Sequence, residues 1–307
     1  MTVSVPAYAK VNPTLRVLGR RTDGFHELVT TMLALDLADR VSVSRGGAPG
    51  MVRVDVDGAF ATPDVPRDAS NLAARGALAV RSAAKRDDGL AISIEKSIPS
   101  RAGLGGGSAD AAAAAEATSE LLGVDERALL PLLAEIGSDC AFFHAARSSG
   151  AAVAFGRGDD VRTLQRVPDW TVAIVTPDVA CSTPAVYGAL GLETGRFDPF
   201  DVEEELARGD ALFALPAVEA RERLVNDLEP AARSAVRELA PWRDVLASAG
   251  HAHFMLSGSG ASYFGLFDDR PDAEDALRSI ERVASGRGLA LRFRGVARPA
   301  GERERSR

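Results

Sequence analysis

The glycine-rich segment at residues 99–112 carries the clearest chemical signal in the chain. It reads Pro99-Ser100-Arg101-Ala102-Gly103-Leu104-Gly105-Gly106-Gly107-Ser108-Ala109-Asp110-Ala111-Ala112. Glycines allow positive φ and close approach of the backbone to a ligand, so that successive N–H groups can converge on an anion. A helix beginning near Ala109 would point its unpaired amides at the same place. The segment therefore predicts a phosphate site, and the alternative is a glycine-rich connector that binds nothing.

Two common nucleotide-binding motifs do not account for this segment. No Gly-Lys-Ser/Thr follows the glycines, as a Walker A loop requires, and the chain lacks the His-Arg-Asp and Asp-Phe-Gly of protein kinases. Ser108 occupies the position where a GxGxxG fingerprint needs its last glycine. Phosphate binding is favoured by the place of the segment, between an expected strand and a helix that begins with a serine.

Two charged residues lie in apolar stretches of sequence. Lys10 falls within the apolar segment 3–19, where an ammonium group costs desolvation unless an anion meets it. The alternative for Lys10 is an edge position from which the side chain reaches solvent. Asp139 separates an expected helix from the apolar run Cys140–Phe143, so it is either a helix or turn cap or a working base.

The elements that would position these residues alternate between helix and strand, which indicates an α+β sandwich with one sheet covered on one side. Alternating valines over 40–56 predict a hairpin. Glycine and proline at 156–168 favour a domain boundary there, and the charged end at 298–307 predicts a frayed tail. The expected strands are 3–19, 91–95, 151–155, 170–175, 253–256, 263–267 and 289–293, and the expected helices are 71–85, 109–122, 126–136, 202–207, 219–224, 231–239 and 272–285.

Length and composition exclude several classes of protein. The 307 residues favour two domains, and a content of 46% hydrophobic and 26% charged residues is ordinary for a globular protein. A net charge of −7 disfavours an extended nucleic-acid surface. No leader-like segment and no apolar run of membrane-spanning length occurs, so we expect a cytoplasmic protein. Cys140 and Cys181 lack CxxC or histidine partners and predict neither a zinc site nor a disulfide.

The glycine segment resembles the second motif of the GHMP kinases, Pro-x-x-x-Gly-Leu-Gly-Ser/Gly-Ser followed by alanines. The segment 256–264 resembles their third motif, a glycine turn that closes over the triphosphate, although turn chemistry alone also allows a plain hairpin. The resemblance implies ATP as co-substrate. The ATP-binding residues that it implies are Pro99, Gly103, Leu104, Gly105, Gly106, Gly107, Ser108, Ser257, Gly258, Ser259 and Gly260, with Asn71 and Lys96 toward the adenine.

Two N-terminal segments resemble one particular branch of the GHMP kinases. Ala9-Lys10-Val11-Asn12 together with Arg21-Thr22-Asp23-Gly24-Phe25-His26 resembles the diphosphocytidyl-methylerythritol kinase branch rather than the homoserine, mevalonate or galactose kinases. In that branch the residues at Lys10 and Asn12 line the reaction centre. The residues at Phe25 and His26 receive the cytosine, which suits a flat ring for stacking and an imidazole for a directional hydrogen bond.

Two further segments complete the implied site. The segment 181–187 resembles the family pattern Ser/Pro-Thr-x-x-x-Tyr/Phe, so Tyr187 would close the other side of the cytosine and Thr183 would lie near the acceptor. Tyr187 as a packing residue is the alternative. Asp139 matches the aspartate of the family segment Gly-Ala-Asp-Val-Pro-x-Phe, which implies a base that meets Lys10 beside the nucleotide. Mg²⁺ is expected with ATP, with Ser108 as a possible ligand.

The resemblance covers residues 5–297 and implies the GHMP kinase fold: an N-terminal domain like ribosomal protein S5 domain 2 and a C-terminal ferredoxin-like domain. The expected ATP-binding domain is 1–160, with a strand near 289–297 as a candidate addition, and the expected second domain is 161–288. The implied reaction transfers the ATP γ-phosphate to the 2-hydroxyl of the methylerythritol moiety. Alternatives are a kinase of homoserine or mevalonate type, or a catalytically silent nucleotide-binding regulator. We expect a monomer or weak homodimer that binds ATP and a small cytidyl substrate, but no nucleic acid or membrane.

Overall fold

The computed structural model describes residues 1–300, and the predicted tail from 301 to 307 lies outside the described residues. Three short helices were not predicted from the sequence: Ser138–Ala145, Thr183–Gly188 and Trp242–Ser248. The strands are β1 Thr2–Arg20, β2 His26–Arg45, β3 Val52–Asp57, β4 Leu90–Glu95, β5 Ala151–Gly156, β6 Asp160–Thr163, β7 Thr171–Pro177, β8 Arg196–Phe197, β9 Val225–Asn226, β10 Met255–Leu256, β11 Tyr263–Phe267 and β12 Leu291–Ala297. The helices are α1 Leu72–Ala83, α2 Gly106–Leu122, α3 Leu129–Ile136, α4 Ser138–Ala145, α5 Thr183–Gly188, α6 Val202–Phe213, α7 Ala217–Ala220, α8 Leu228–Ala235, α9 Trp242–Ser248 and α10 Arg270–Gly286.

The chain divides into two compact units. The first unit contains Met1–Ala9, Leu37–Ser100 and Gly105–Arg147, and the second contains Lys10–Asp36, Arg101–Leu104 and the chain from Ser148 onward. The strands β1 and β2 have 19 and 20 residues, and each supplies one segment to each unit. The chain therefore passes between the units along its two longest strands, on either side of residues 101–104, and between Arg147 and Ser148.

In the first unit, β4 lies between β3 and β2. It pairs in parallel with β3 and antiparallel with β2. The predicted hairpin over 40–56 is therefore wrong, because β2 and β3 both pair with β4, which comes later in the chain. The alternating valines are nevertheless buried, as Val43 and Val54 show. A period of two identifies the covered face of a strand but does not identify its neighbour.

Helices α1 and α2 of the first unit pack with their backbones very close together. A Cβ atom on Gly76 of α1 would lie 2.2 Å from the carbonyl oxygen of Ala111 in α2. Small residues permit this approach, and α2 supplies a run of alanines from Ala111 to Ala115. The alanine-rich sequence thus serves packing on several sides of α2, toward the sheet core and toward α1 and α3.

The second unit contains parts of two sheets. The segment 26–36 of β2 pairs antiparallel with β5, which also pairs with β6, while β8 and β9 pair with β1. The other sheet has the order β10-β11-β7-β12. Since β12 pairs with β7, the strand near 289–297 belongs to the sheet of the second unit, and the expected domain bounds stay a prediction.

The second unit has an apolar core, and the last described residues are hydrogen-bonded to β2. Trp242 of α9 and Ile280 of α10 are buried in the same cluster as Tyr263 of β11. The amide of Ala300 donates to the carbonyl of Ala34 at 2.9 Å, so residues 298–300, predicted as the start of the tail, are held on β2. Among the helices of residues 1–300, none has the length and apolarity that crossing a membrane requires.

The contact between α1 and α2 gives a test of the fold. We expect Gly76→Ala to destabilise the protein by about 2 to 3 kcal/mol, because the added methyl group must push the α2 backbone away. Helix propensity alone would predict a gain of roughly 0.5 to 1 kcal/mol. Gly286→Ala, at the end of α10 where a Cβ meets nothing within 4 Å, is the matched control. Equal free energies of unfolding for the two variants in urea titrations would contradict the predicted packing.

Candidate active site

The first half of the glycine loop, residues 101–104, is held by contacts within the second unit. The amide of Lys10 donates to the carbonyl of Leu104 at 2.9 Å. The hydroxyl of Ser257 donates to the carbonyl of Gly103, also at 2.9 Å. Gly103 has a φ of +75°, and a Cβ atom there would lie 2.1 Å from the Ser257 carbonyl oxygen. Glycine is therefore required at this position, where residues from all three predicted motifs meet.

The second half of the loop opens helix α2 in the first unit. Gly105, with a φ of 75°, is the N-cap residue and has no side chain with which to cap the helix. The first amides of any helix have no acceptor within that helix, and they lie at the positive end of its dipole. Ser108 lies in the first turn of α2. Phosphate is the ligand that such a set of donors suits.

Lys10 is buried in the second unit and belongs to a chain of hydrogen bonds. Its ammonium group donates to the side-chain oxygen of Asn12 at 2.6 Å, and the Asn12 amide donates to the Thr30 hydroxyl at 2.8 Å. Thr30 in turn donates to the carbonyl of Thr14 at 2.7 Å. Because Lys10 is only 4% exposed, the alternative of an edge lysine reaching solvent is wrong. A Cβ atom on Gly258 would lie 3.2 Å from the Lys10 Nζ, so the third motif lies directly against the ammonium group.

The glycine turn of the third motif is held in shape by Asn226. The Asn226 amide donates to the carbonyls of Leu256 and Gly258 at 2.7 and 2.8 Å. Its side-chain oxygen accepts a hydrogen bond from the amide of Leu228 at 2.9 Å. Asn226 is buried, so water cannot readily replace these bonds. A structural role for Asn226 was predicted from the sequence, and these three bonds supply it.

The predicted cytosine-binding aromatics lie in the second unit. The His26 and Tyr187 rings contact each other, with their centres 4.9 Å apart and their planes tilted by 36°. Phe25 is 51% exposed, and the guanidinium carbon of Arg157 lies 4.9 Å from the centre of its ring. The structure thus brings His26 and Tyr187 together and places a cation against Phe25. A sandwich of the base between Phe25 and Tyr187 stays a prediction.

The imidazole of His26 and the hydroxyl of Thr183 are the polar groups of this predicted site that can form hydrogen bonds. Burial, reinforced by the charge of Arg20, lowers the pKa of His26. A neutral imidazole offers one donor and one acceptor, whereas the protonated ring has donors only. The hydroxyls of Thr183 and Ser259 are hydrogen-bonded at 2.8 Å, which joins a predicted acceptor-site residue to the third motif.

Asp139 lies in the first unit, in the first turn of α4. The N-cap of that helix is Gly137, so Asp139 is not the helix cap that sequence reasoning offered as the alternative to a working base. The expected meeting of Asp139 with Lys10 joins residues of different units and stays a prediction.

The side chains of Asn71 and Lys96 are engaged inside the first unit. Asn71 is the N-cap of α1 and accepts a hydrogen bond from a first-turn amide at 2.9 Å. Lys96 is buried and forms ion pairs with Asp39 and, at 2.6 Å, with Asp110. Pro99 is also buried. The expectation that Asn71 and Lys96 lie toward the adenine stays a prediction.

Sequence reasoning missed several residues of these networks. Thr30 supports Asn12, and Arg157 covers Phe25, but neither belongs to a pattern that distinguishes it from a surface residue. Asp39 and Asp110 did carry a signal, because each is a lone acid in an apolar or alanine-rich stretch. The same signal had directed attention to Asp139.

Comparison with known proteins identifies the class. Residues 71–156 match the GHMP kinases N terminal domain, and residues 204–286 match the GHMP kinases C terminal domain. A crystal structure of homoserine kinase from Cytophaga hutchinsonii superposes with a TM-score of 0.67 at 18% identity, over 97% of this chain and 95% of that chain. At this identity the likeness shows the fold alone. The predicted α+β GHMP kinase fold is therefore confirmed.

Proteins of higher sequence identity to this chain show the family within the class of GHMP kinases. The 4-diphosphocytidyl-2-C-methyl-D-erythritol kinase of Geobacter sp. (strain M21) is 38% identical over 93% of this chain and 97% of its own length. The protein of that name from Desulfitobacterium hafniense (strain Y51) is 36% identical over 89% of each. A crystal structure of 4-(cytidine 5'-diphospho)-2C-methyl-D-erythritol kinase is 31% identical with a TM-score of 0.68, over 97% of this chain and 100% of that chain. The chain belongs to the family of 4-diphosphocytidyl-2-C-methyl-D-erythritol kinases.

The bonds of Asn226 lead to a prediction about the third motif. We expect Asn226→Asp to cost about 3 kcal/mol of stability, because two buried carbonyls lose their donor and face a carboxylate instead. Asn71→Asp is the comparison and should cost less, because an aspartate there loses one bond, to the Pro66 carbonyl, but still accepts the first-turn amide at the positive end of α1. Urea unfolding measures both. A loss in Asn226→Asp no larger than that in Asn71→Asp would contradict the role of Asn226.

Proposed function

We propose that the protein transfers the γ-phosphate of ATP to the 2-hydroxyl of 4-diphosphocytidyl-2-C-methyl-D-erythritol, a step in isoprenoid precursor synthesis. The observation that carries this proposal is identity of 38% and 36%, spanning nine-tenths of the chain, to kinases named for this substrate. The contact between His26 and Tyr187, two residues predicted to bind the cytosine, supports it.

The glycine loop would hold the ATP phosphates by its main-chain amides. Gly103 and Gly105 adopt the positive φ that such a loop needs, and the helix dipole of α2 favours the anionic groups. Residues 1–300 contain no cluster of three or more potential metal-ligating His, Cys, Asp or Glu side chains. A Mg²⁺ ion would therefore be held mainly by phosphate oxygens and water, with the Ser108 hydroxyl as the candidate protein ligand. Such an ion would neutralise charge on the transferring group.

Asp139 and Lys10 would carry the chemistry. The acceptor hydroxyl oxygen attacks the γ-phosphorus, the bond from the γ-phosphorus to the bridging oxygen of ADP breaks, and the hydroxyl proton passes to Asp139. The ammonium of Lys10 would stabilise negative charge on the phosphoryl group, and its bond to Asn12 keeps it in one position. Alignment and electrostatics account for most of the rate in phosphoryl transfer.

The acceptor would be recognised through its cytosine. Phe25 offers an exposed ring face, and Tyr187 lies against His26. His26, neutral at physiological pH because burial lowers its pKa, can donate and accept hydrogen bonds with the base edge. Arg157 lies beside Phe25 and would favour the diphosphate of the acceptor.

Other kinases of this class are distinguished by their acceptors. A homoserine or mevalonate kinase needs no base-stacking residues, whereas Phe25 and His26 match the cytidyl branch. We expect ADP to form with 4-diphosphocytidyl-2-C-methyl-D-erythritol and not with homoserine or mevalonate, in a coupled assay with ATP and Mg²⁺. Turnover of either of the other acceptors at a comparable kcat/KM would reject the proposal, and ATP binding without any turnover would favour a regulator.

The role of Asp139 gives the second test. We expect Asp139→Asn to lower kcat by about 10²-fold or more, because an amide cannot accept the hydroxyl proton. The affinity for ATP, measured by calorimetry, should change little. An Asp139→Asn variant that retains most of its turnover would show that another group is the base.

The titration of His26 predicts a pH dependence. Its folded-state pKa lies below the usual value of about 6.5, so the ring is neutral at pH 7.5 and gains a proton as the pH falls through the lowered value. The protonated ring loses its acceptor nitrogen, and we expect the KM for the cytidyl acceptor to rise on acidification. His26→Gln, which keeps a donor and an acceptor but does not titrate, should have a KM that is flat over the same range. Parallel profiles for the wild type and His26→Gln would exclude His26 as the titrating group.

A further inference from the structure

A buried charge cluster lies beneath the second half of the glycine loop, wholly within the first unit. Its members are Asp39 on β2, Lys96 just after β4 and Asp110 in α2, exposed by 1%, 3% and 3%. The ammonium of Lys96 donates to Asp39 and, at 2.6 Å, to Asp110. We call these residues the charge triad. The proposed reaction gives none of them a role.

The first contact of the triad with the loop is at its entrance. One carboxylate oxygen of Asp39 accepts hydrogen bonds from the backbone amides of Ser97 and Ile98, at 2.5 and 2.8 Å. The other oxygen of Asp39 accepts from Lys96. Charge-assisted bonds to two successive amides fix the direction of the backbone as it leaves β4. Asp39 therefore anchors the segment that enters the glycine loop.

The second contact is at the exit from the loop. Asp110 lies one helical turn after Gly106 on the same face of α2. A Cβ atom on Gly106 would lie 3.0 Å from the Ile98 side chain and 3.5 Å from the carboxylate of Asp39. The helix start thus rests on the segment that Asp39 anchors, and the bond from Lys96 to Asp110 ties the following turn to the same point.

The backbone of Lys96 is itself fixed. Its amide donates to the carbonyl of Asp57 at 2.8 Å, and its carbonyl accepts from the amide of Phe60 at 3.2 Å. A Cβ atom on Gly58 would lie 2.6 Å from the Lys96 carbonyl oxygen, so the chain after β3 packs tightly on this residue. The ammonium group therefore extends from a rigid base.

The triad contains two carboxylates for one ammonium group. One oxygen of Asp110 has no hydrogen-bond partner within residues 1–300. Burial raises the pKa of Asp110 to about 7; Lys96 opposes this shift and the charge of Asp39 adds to it. Replacing buried ion clusters by apolar residues is often neutral or stabilising, so overall stability does not explain this arrangement. Its directed bonds do specify where the two ends of the loop lie.

We infer that the charge triad positions the phosphate-binding loop by fixing its entrance through Asp39 and its exit through Asp110. The inference rests on the proposed function, in which this loop holds the ATP phosphates. The triad residues are positioning residues, which act on ATP through the backbone. Main-chain donors that are displaced from the phosphate oxygens make longer and less aligned hydrogen bonds, which are weaker.

The test compares three acid-to-amide variants of buried carboxylates. In Asp39→Asn, the NH₂ group of the new side chain must face either Lys96 or the backbone amides of Ser97 and Ile98. All of these groups are donors, so the variant loses hydrogen bonds in either orientation. We expect its affinity for ATP, measured by calorimetry without acceptor, to fall about tenfold. Hydrogen exchange at residues 97–108 should become faster. Asp110→Asn keeps an acceptor for Lys96 but loses the charge-assisted bond at the exit of the loop, so its affinity for ATP should also fall, by less than in Asp39→Asn.

Glu116→Gln is the matched control. Glu116 is buried in the same helix α2 and contacts His144 and Arg147 at 2.9 Å each, away from the loop. Loss of the Glu116 charge should lower the free energy of unfolding without changing the affinity for ATP. An equal loss of affinity in Glu116→Gln and Asp39→Asn, or unchanged affinity in Asp39→Asn, would overturn the inference. If Asp39→Asn does not fold, Lys96→Met replaces it, with faster exchange at 106–110 expected and unchanged exchange there as the contrary result.

The outcomes separate the inference from the proposed function. ATP binding by the wild type without turnover of the cytidyl acceptor would reject the proposed acceptor, and the affinities of the variants would still decide the role of the triad. Normal turnover together with wild-type ATP affinity in Asp39→Asn would reject the triad alone. A wild-type protein that does not bind ATP would overturn both.

Discussion

Main-chain amides can hold a phosphate only if something other than their own side chains fixes the backbone that carries them. A glycine loop has almost no side chains with which to anchor itself, so its neighbours must supply the anchors. In the second unit the carbonyls of Gly103 and Leu104 accept from Ser257 and from the Lys10 amide. In the first unit Asp39 holds the two amides that lead toward the loop. A glycine loop that lacks its own anchoring side chains therefore needs rigid surroundings to hold its amides in place.

Two buried lysines illustrate how environment assigns a role to a residue type. Lys10 donates to the neutral side chain of Asn12 and lies against the glycine turn of the third motif. Lys96 donates to two carboxylates inside the first unit. Burial acts to lower the pKa of Lys96, but the two carboxylates outweigh burial and the net change is upward. Lys10 lies within β1 and Lys96 directly follows β4, and both were predicted to lie near the nucleotide. Partners that are distant in the chain distinguish them.

Local elements with a strong pattern were predicted well. Helices α1, α2 and α10 and strand β11 lie where they were predicted. The amphipathic helices α1 and α10 leave a regular spacing in the sequence, whereas the alanines of α2 and the apolar run of β11 indicate elements buried on more than one side. Pairing was predicted less well. The valines around residue 50 suggested a hairpin, but β4, which comes more than thirty residues later, lies between the two strands. The alternation of valines shows which face of each strand is buried, but it does not show which strand is its neighbour. Nothing in the sequence therefore indicated that β4 lies between β2 and β3.

The sequence by itself determined the class of the protein, because the glycine segment, Lys10 with Asn12, and the pair Phe25 and His26 resemble family motifs that each lie in a short stretch of sequence. It also determined the α+β character of the fold. Only the tertiary structure decided which charged groups face each other. The bonds of Asn226 to the third motif, the place of Arg157 against Phe25 and the charge triad all join residues far apart in the chain. The physical reason is that a buried polar group is satisfied by whichever partner folding brings within about 3 Å.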